Sequence, residues 1–242
     1  MKKRILSALM VLCLLLTGCG STQTPLERTA EYLKTAVPEP DFGSLDGDWI
    51  VFGLARAGAD LSDDYFERYY SAVEAAVQAA DGKLDENRYT EYSRLILALT
   101  AIGRDPRNVG GYDLLLPLAD LKKTTEQGVN GAAFALLALD CGAYEIPADP
   151  SADVAATREL YVNFILNRQL SDGGWSFSGD ASTAQATALA LQALSAYEKR
   201  AGVRGAVMLG IDCLAALQGY AGGYGSAQAD AEALLALAAL GI

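Results

Sequence analysis

Two kinds of apolar pattern alternate along this chain. One is apolar at nearly every position and rich in alanine and leucine, over 48–57, 89–102, 128–140, 182–196 and 227–240. A helix that is hydrophobic all round is buried on both sides, and alanine lets neighbouring helices approach closely. The other kind carries a polar, charged face, over 26–36, 63–80, 111–120, 151–167 and 203–217; Asp153, Arg158 and Glu159 are examples in the fourth. Its apolar positions recur at helical spacing. No stretch sustains the strict alternation of a half-buried strand. The pattern predicts an all-α chain of about five helical hairpins, with amphipathic helices outside and apolar helices inside. Four inner segments run into Gly58, Gly103, Gly142 and Gly241. Glycine just past a leucine-rich helix signals a left-handed cap.

A seven-residue pattern occurs twice. Gln169, Gly173 and Trp175 form Q-x3-G-x-W, and Gln218, Gly222 and Tyr224 form Q-x3-G-x-Y. Each copy ends one helical segment, makes a glycine turn and precedes an inner segment. Such recurrence marks a helical repeat.

The N-terminus reads as an address. Lys2, Lys3 and Arg4 precede an apolar run over 5–16, which is short for a membrane-spanning helix. It closes in Leu16-Thr17-Gly18-Cys19, which resembles the lipobox of bacterial lipoproteins. The resemblance implies that residues 1–18 are a signal peptide, that Cys19 is acylated as the new N-terminus, and that 19–25 tether the repeat domain 26–242. The expected location is the extracytoplasmic face of a bacterial cell membrane, with the lipid bilayer as a partner through acylated Cys19.

Charge narrows the partners. The chain has 19 basic and 30 acidic residues. Loss of the three charges at Lys2, Lys3 and Arg4 leaves 16 against 30, a net of −14 in place of −11. A surface this acidic repels nucleic acid, so no nucleic-acid partner is expected. There is no histidine, which removes the commonest metal ligand and the usual proton shuttle. Cys141 and Cys213 lie in apolar helical contexts and are expected to be small buried hydrophobes.

The two glycine-aromatic copies match the QW motif of the α/α-toroid superfamily of terpenoid cyclases and protein prenyltransferases. Within it, the segments 90–106, 109–113, 127–140 and 172–175 are more similar to secreted bacterial toroid proteins related to cobalamin carriers such as transcobalamin and intrinsic factor. The resemblance implies an α/α toroid in which the motif staples one repeat to the next. It implies six hairpins where five are counted, so the ring is expected to be incomplete or the sequence truncated. It also raises a corrinoid (cobalamin) as ligand, although the carriers' small β-domain has no counterpart in the sequence.

The enzyme templates of the superfamily lack their working residues here. A triterpene cyclase protonates its substrate from a D-x-D-D cluster; the nearest segment, 180–184, has Ser182 where the middle acid belongs. Asp180 or Ser182 is expected instead to cap the following helix. The prenyltransferase zinc site needs a histidine. A binding role asks less. If inner helices run parallel, their N-termini share one rim, which brings together Trp49, Tyr89, Glu91, Tyr92, Asn130, Asp180, Thr183, Gln185, Tyr224 and Gln228. Aromatic and amide groups around a concave mouth suit a flat or polar organic ligand. Glu91 and Arg94 are spaced to pair on their helix, and Phe134, one turn past Asn130, shares its face. The sequence therefore predicts a membrane-anchored protein that binds a small organic ligand or a surface protein, with no catalytic or metal-ligating residue assigned. A divergent terpene cyclase or prenyltransferase-type enzyme and a structural surface module are the alternatives.

Overall fold

A computed structural model describes residues 23–43, 47–60 and 64–242. Cys19 and the signal segment 1–18 lie outside the described residues. Among the described residues there is no β-strand; two isolated bridges, Val109 with Tyr112 and Asp120 with Ala155, are the only extended pairings.

The five apolar segments fold as α2 (Asp48–Arg56), α4 (Thr90–Ala101), α6 (Gly128–Cys141), α8 (Ala184–Ser195) and α10 (Ala227–Ala239). They pack in chain order: α2 on α4, α4 on α6, α6 on α8 and α8 on α10. The middle three are enclosed. Leu95, Ile96, Ala98 and Leu99 of α4 are fully buried, as are Ala132, Ala133, Leu136 and Leu139 of α6 and Ala188, Ala190, Leu191 and Leu194 of α8. Full burial of one leucine contributes roughly 1.5–3 kcal/mol, so this row is the main source of cohesion.

The amphipathic segments fold as α1 (Pro25–Ala36), α3 (Asp64–Ala79), α7 (Arg158–Leu166) and α9 (Val203–Leu217), with α7 on α6 and α9 on α8. Their starts are written locally. Thr24 and Glu27 form a reciprocal capping box ahead of Pro25, and Thr157 caps α7 through the Leu160 N–H.

The third outer helix, expected over 111–120, does not form. Gly110 and Gly111 both take positive φ, and Val109 and Tyr112 close a tight turn. Pro117, which has no N–H, sits in the 3-10 turn Leu116–Ala119. The apolar residues still reach the core: Leu114 and Leu118 are fully buried without a helix to carry them. Asp120 then caps the single turn α5 (Leu121–Thr124) by accepting from the N–H groups of Lys122 and Lys123. The fourth outer helix is shorter than expected because Leu121 and Ala156 bond across to Val154 and Ala119, holding the segment before Arg158 extended.

Three of the four expected glycine caps are left-handed, at Gly58, Gly103 and Gly241. Gly142 is not: its φ is −119° and Ala143 takes the left-handed place at +51°. Gly142 is needed for space, since a Cβ there would lie 2.4 Å from the Tyr144 ring.

Candidate functional site

The start of α2 carries a buried polar cluster. Asp48 is fully buried, and its carboxylate accepts from the Tyr69 hydroxyl and from Arg94 Nε, each at 2.7 Å. Arg94 also pairs with Glu91 one turn earlier on α4, and Arg88 reaches Glu91 at 3.7 Å. A buried carboxylate is tolerated only when its lone pairs are taken, and α3 and α4 supply the partners here. Burial opposes the charge of Arg94, but bonds to Asp48 and Glu91 outweigh it and hold its pKa above the ordinary value. Burial first, then the Asp48 charge, pushes the Tyr69 hydroxyl well above the usual tyrosine range.

The next residue, Trp49, turns its ring the other way. It meets Phe52 edge-on at 5.9 Å and Phe134 of α6 at a tilted 5.9 Å. All three rings are half-buried. Trp49 and Phe134 come from the two inner helices that pack on α4. Aromatic pairs in such geometry contribute about 0.5–1.5 kcal/mol beyond their burial. The result is an apolar patch one residue away from a satisfied charge network. Sequence spacing anticipated Glu91 with Arg94 and placed Phe134 beside Asn130, which is half-buried on the preceding turn. It did not anticipate that Asp48 and Tyr69 complete the network, because those residues are joined only by packing.

The other expected rim residues separate. Tyr89 is half-buried, its ring 5.5 Å from Tyr92, and Gln127 accepts from the Thr90 N–H at the start of α4. Tyr92 is not a rim residue: it is buried, and its hydroxyl accepts from the Leu84 N–H in the preceding loop. Its position one turn into α4 directs it toward α3 and not toward the mouth. Asp180 is exposed in the loop before α8. Neither it nor Ser182 is the cap; Thr183 caps α8 by accepting from Ala186 N–H, while Ser182 donates to Asp172 at 2.6 Å. Gln185 is half-buried at the first turn of α8. Gln228 is exposed and donates to Glu232, whose carboxyl burial pushes its pKa up. Among the described residues, no group of three or more histidine, cysteine or acidic side chains converges as a metal site would.

The motif residues lie between repeats. Gln169 donates to Gly173 O at 2.7 Å and to Ala206 O of α9 at 2.8 Å. Trp175 is fully buried, its Nε1 donating to Ile165 O of α7 and its N–H to Thr187 Oγ1 of α8. In the second copy Gln218 donates to Gly222 O, and the Tyr224 N–H donates to Asp230. Cys213 is buried behind Gly174, whereas Cys141, the last residue of α6, is exposed, against expectation; both thiols are free.

Two cavities, of about 430 and 490 Å³, lie away from these residues, one between α1 and Ala57–Asp60 and the other around Ser195, Lys199 and Arg204. In comparisons with known proteins, no family model, no curated protein and no solved structure matches the chain.

Proposed function

We propose that this chain is a lipid-anchored, extracytoplasmic helical-repeat protein that binds an organic ligand or a protein surface and carries out no chemistry of its own. The observation that supports this reading best is the contact of Trp49 of α2 with Phe134 of α6, with Phe52 alongside. Partly exposed rings held by two helices offer faces for stacking. The neighbouring Arg94 is already held by two carboxylates, so the patch suits a flat, largely uncharged ligand better than an anion.

A corrinoid is the specific ligand that the sequence resemblance raises. Its macrocycle is flat and its amide side chains find partners in Asn130 and Glu91. Titration of the purified protein with hydroxocobalamin, read by the visible spectrum and by tryptophan fluorescence, tests this. A saturable spectral change that Trp49→Ala and Phe134→Ala abolish, with melting temperatures still cooperative, supports it. No change in either signal removes corrinoids. A screen of planar organic ligands and surface-protein extracts that likewise shows no dependence on Trp49 removes the patch as a binding site.

A further inference from the structure

The inner helices α4, α6 and α8 run side by side in one direction. Their starts are joined: the Gln127 side chain ahead of α6 accepts the Thr90 N–H of α4, and the Phe177 carbonyl ahead of α8 lies 4.0 Å from where a Cβ on Gly128 would stand. At their other ends the Thr100 and Tyr144 hydroxyls bond at 2.8 Å, and the Tyr197 hydroxyl donates to Asp140 at 2.7 Å. The first turns of α6 and α8 therefore stand next to each other, at the roughly 8–10 Å spacing of packed helices.

Both of those turns carry an amide with nothing to bond. Asn130 on α6 and Gln185 on α8 are half-buried, and among the described residues neither side chain has a hydrogen-bond partner. The amides of Gln127, Gln169 and Gln218, by contrast, are engaged with the main chain. Asn130 lies one turn before Phe134, whose ring meets Trp49, so an unbonded amide borders the aromatic patch. The nearest charges are matched, Arg94 with both Asp48 and Glu91.

We propose that the ligand of this patch is a neutral oligosaccharide, an inference that rests on the reading of Trp49 and Phe134 as a binding surface. A sugar ring has a face of C–H groups and an edge of hydroxyls. The C–H face packs on the negative face of an aromatic ring. A pair of neighbouring hydroxyls matches a primary amide, which offers an acceptor and two donors. One unit stacks on Trp49 with its hydroxyls at Asn130, and the helix spacing sets Gln185 against a further unit. A wholly apolar ring system fits less well, because it would take water from Asn130 and return no partner. An anionic sugar fits less well because the chain carries a net charge of −11 and Arg94 is already neutralised.

Trp49 and Trp175 are the two tryptophans of the chain, and Trp175 is fully buried, so a change of emission on binding reports Trp49. The full chain, purified in a detergent without a sugar headgroup, is titrated with neutral hexose and N-acetylhexosamine oligosaccharides, and in parallel with uronic-acid and sulfated ones. A neutral oligosaccharide gives a saturable change of emission. By calorimetry, Asn130→Ala and Gln185→Ala each weaken its binding about five- to tenfold with an unchanged helical circular dichroism signal, and Trp49→Phe weakens it less than Trp49→Ala. Absence of binding by every neutral oligosaccharide overturns the proposal, as does binding that both amide variants leave unchanged. A preference for the anionic oligosaccharides overturns it too. A planar organic ligand that still depends on Trp49 when the sugars fail keeps the aromatic patch as a site, so the loss of the sugar and the loss of the patch are told apart.

Discussion

The side-chain amide of Gln169 donates to the main-chain carbonyl of Ala206, tying the first glycine-aromatic turn to the first turn of α9. The same turn brings Gly173 against the Leu209 backbone and Gly174 against Cys213. In the second copy, Gln218 bonds within its own turn and Gly222 faces open space. One motif, read twice, thus joins its turn to α8 and α9 in the first copy and to α10 in the second.

The two glycines separate these roles. Both take φ of +87°, so alanine at either place incurs the left-handed cost of about 1–2 kcal/mol. At Gly173 the added Cβ would also lie 2.6 Å from Leu209 O, whereas at Gly222 it meets nothing. Urea denaturation should show Gly173→Ala to be the more destabilised variant by about 1 kcal/mol or more. Equal losses would mean that the joint is loose.

Trp175 has the largest fully buried side chain of the chain and touches α7, α8 and α9. Trp175→Ala should cost about 3–5 kcal/mol. Trp175→Phe keeps much of the packing and loses the indole bond to Ile165 O, so a smaller loss is expected from the same denaturation curves.

Asp48 holds α2, α3 and α4 together through Arg94 and Tyr69. Asp48→Ala leaves Arg94 with Glu91 alone and should cost about 3 kcal/mol, near the low end for breaking a buried pair. Tyr69→Phe should cost about 1.5 kcal/mol, the scale of a hydrogen bond to a charged group. A double-mutant cycle with a coupling energy near zero would show that the two bonds are not one unit.

Alkaline pH should unfold the protein. Burial raises the hydroxyl pKa of Tyr69 and Tyr161, and burial followed by the bond to Asp140 raises that of Tyr197. A raised folded-state pKa means that the native chain keeps protons the unfolded chain releases. The stabilisation is therefore complete below the ordinary tyrosine value near 10 and is lost as pH rises above it. Melting temperature should fall above about pH 10, the tyrosine model value. Tyrosinate absorbance from these three residues should appear together with loss of helicity; its full appearance in a folded chain would contradict the buried assignment.

Cys19 should carry the membrane anchor. Mass spectrometry of the N-terminal peptide should find an acylated cysteine, and Cys19→Ser should abolish that modification. A mature chain that begins elsewhere and is released into the medium would refute the lipobox reading.

The all-α class, the five apolar helices and the positions of most of their ends were legible in the sequence, because each rests on helical periodicity and on residues within one turn of each other. The Glu91–Arg94 pair was legible for the same reason. The two glycine turns were legible as well, since glycine and aromatic spacing encode a tight turn, whereas the staple role came from the resemblance. What failed locally failed through context. The segment 111–120 has helical apolar spacing, but two glycines and Pro117 deny it the geometry, and its leucines reach the core from a turn. Thr183, and neither Asp180 nor Ser182, caps α8, because the loop length after Trp175 sets where the helix begins. Residues that meet across helices were decided only by packing: Asp48 with Tyr69, Trp49 with Phe134, and Gln169 with Ala206. No periodicity within one helix specifies which residue of another will face it.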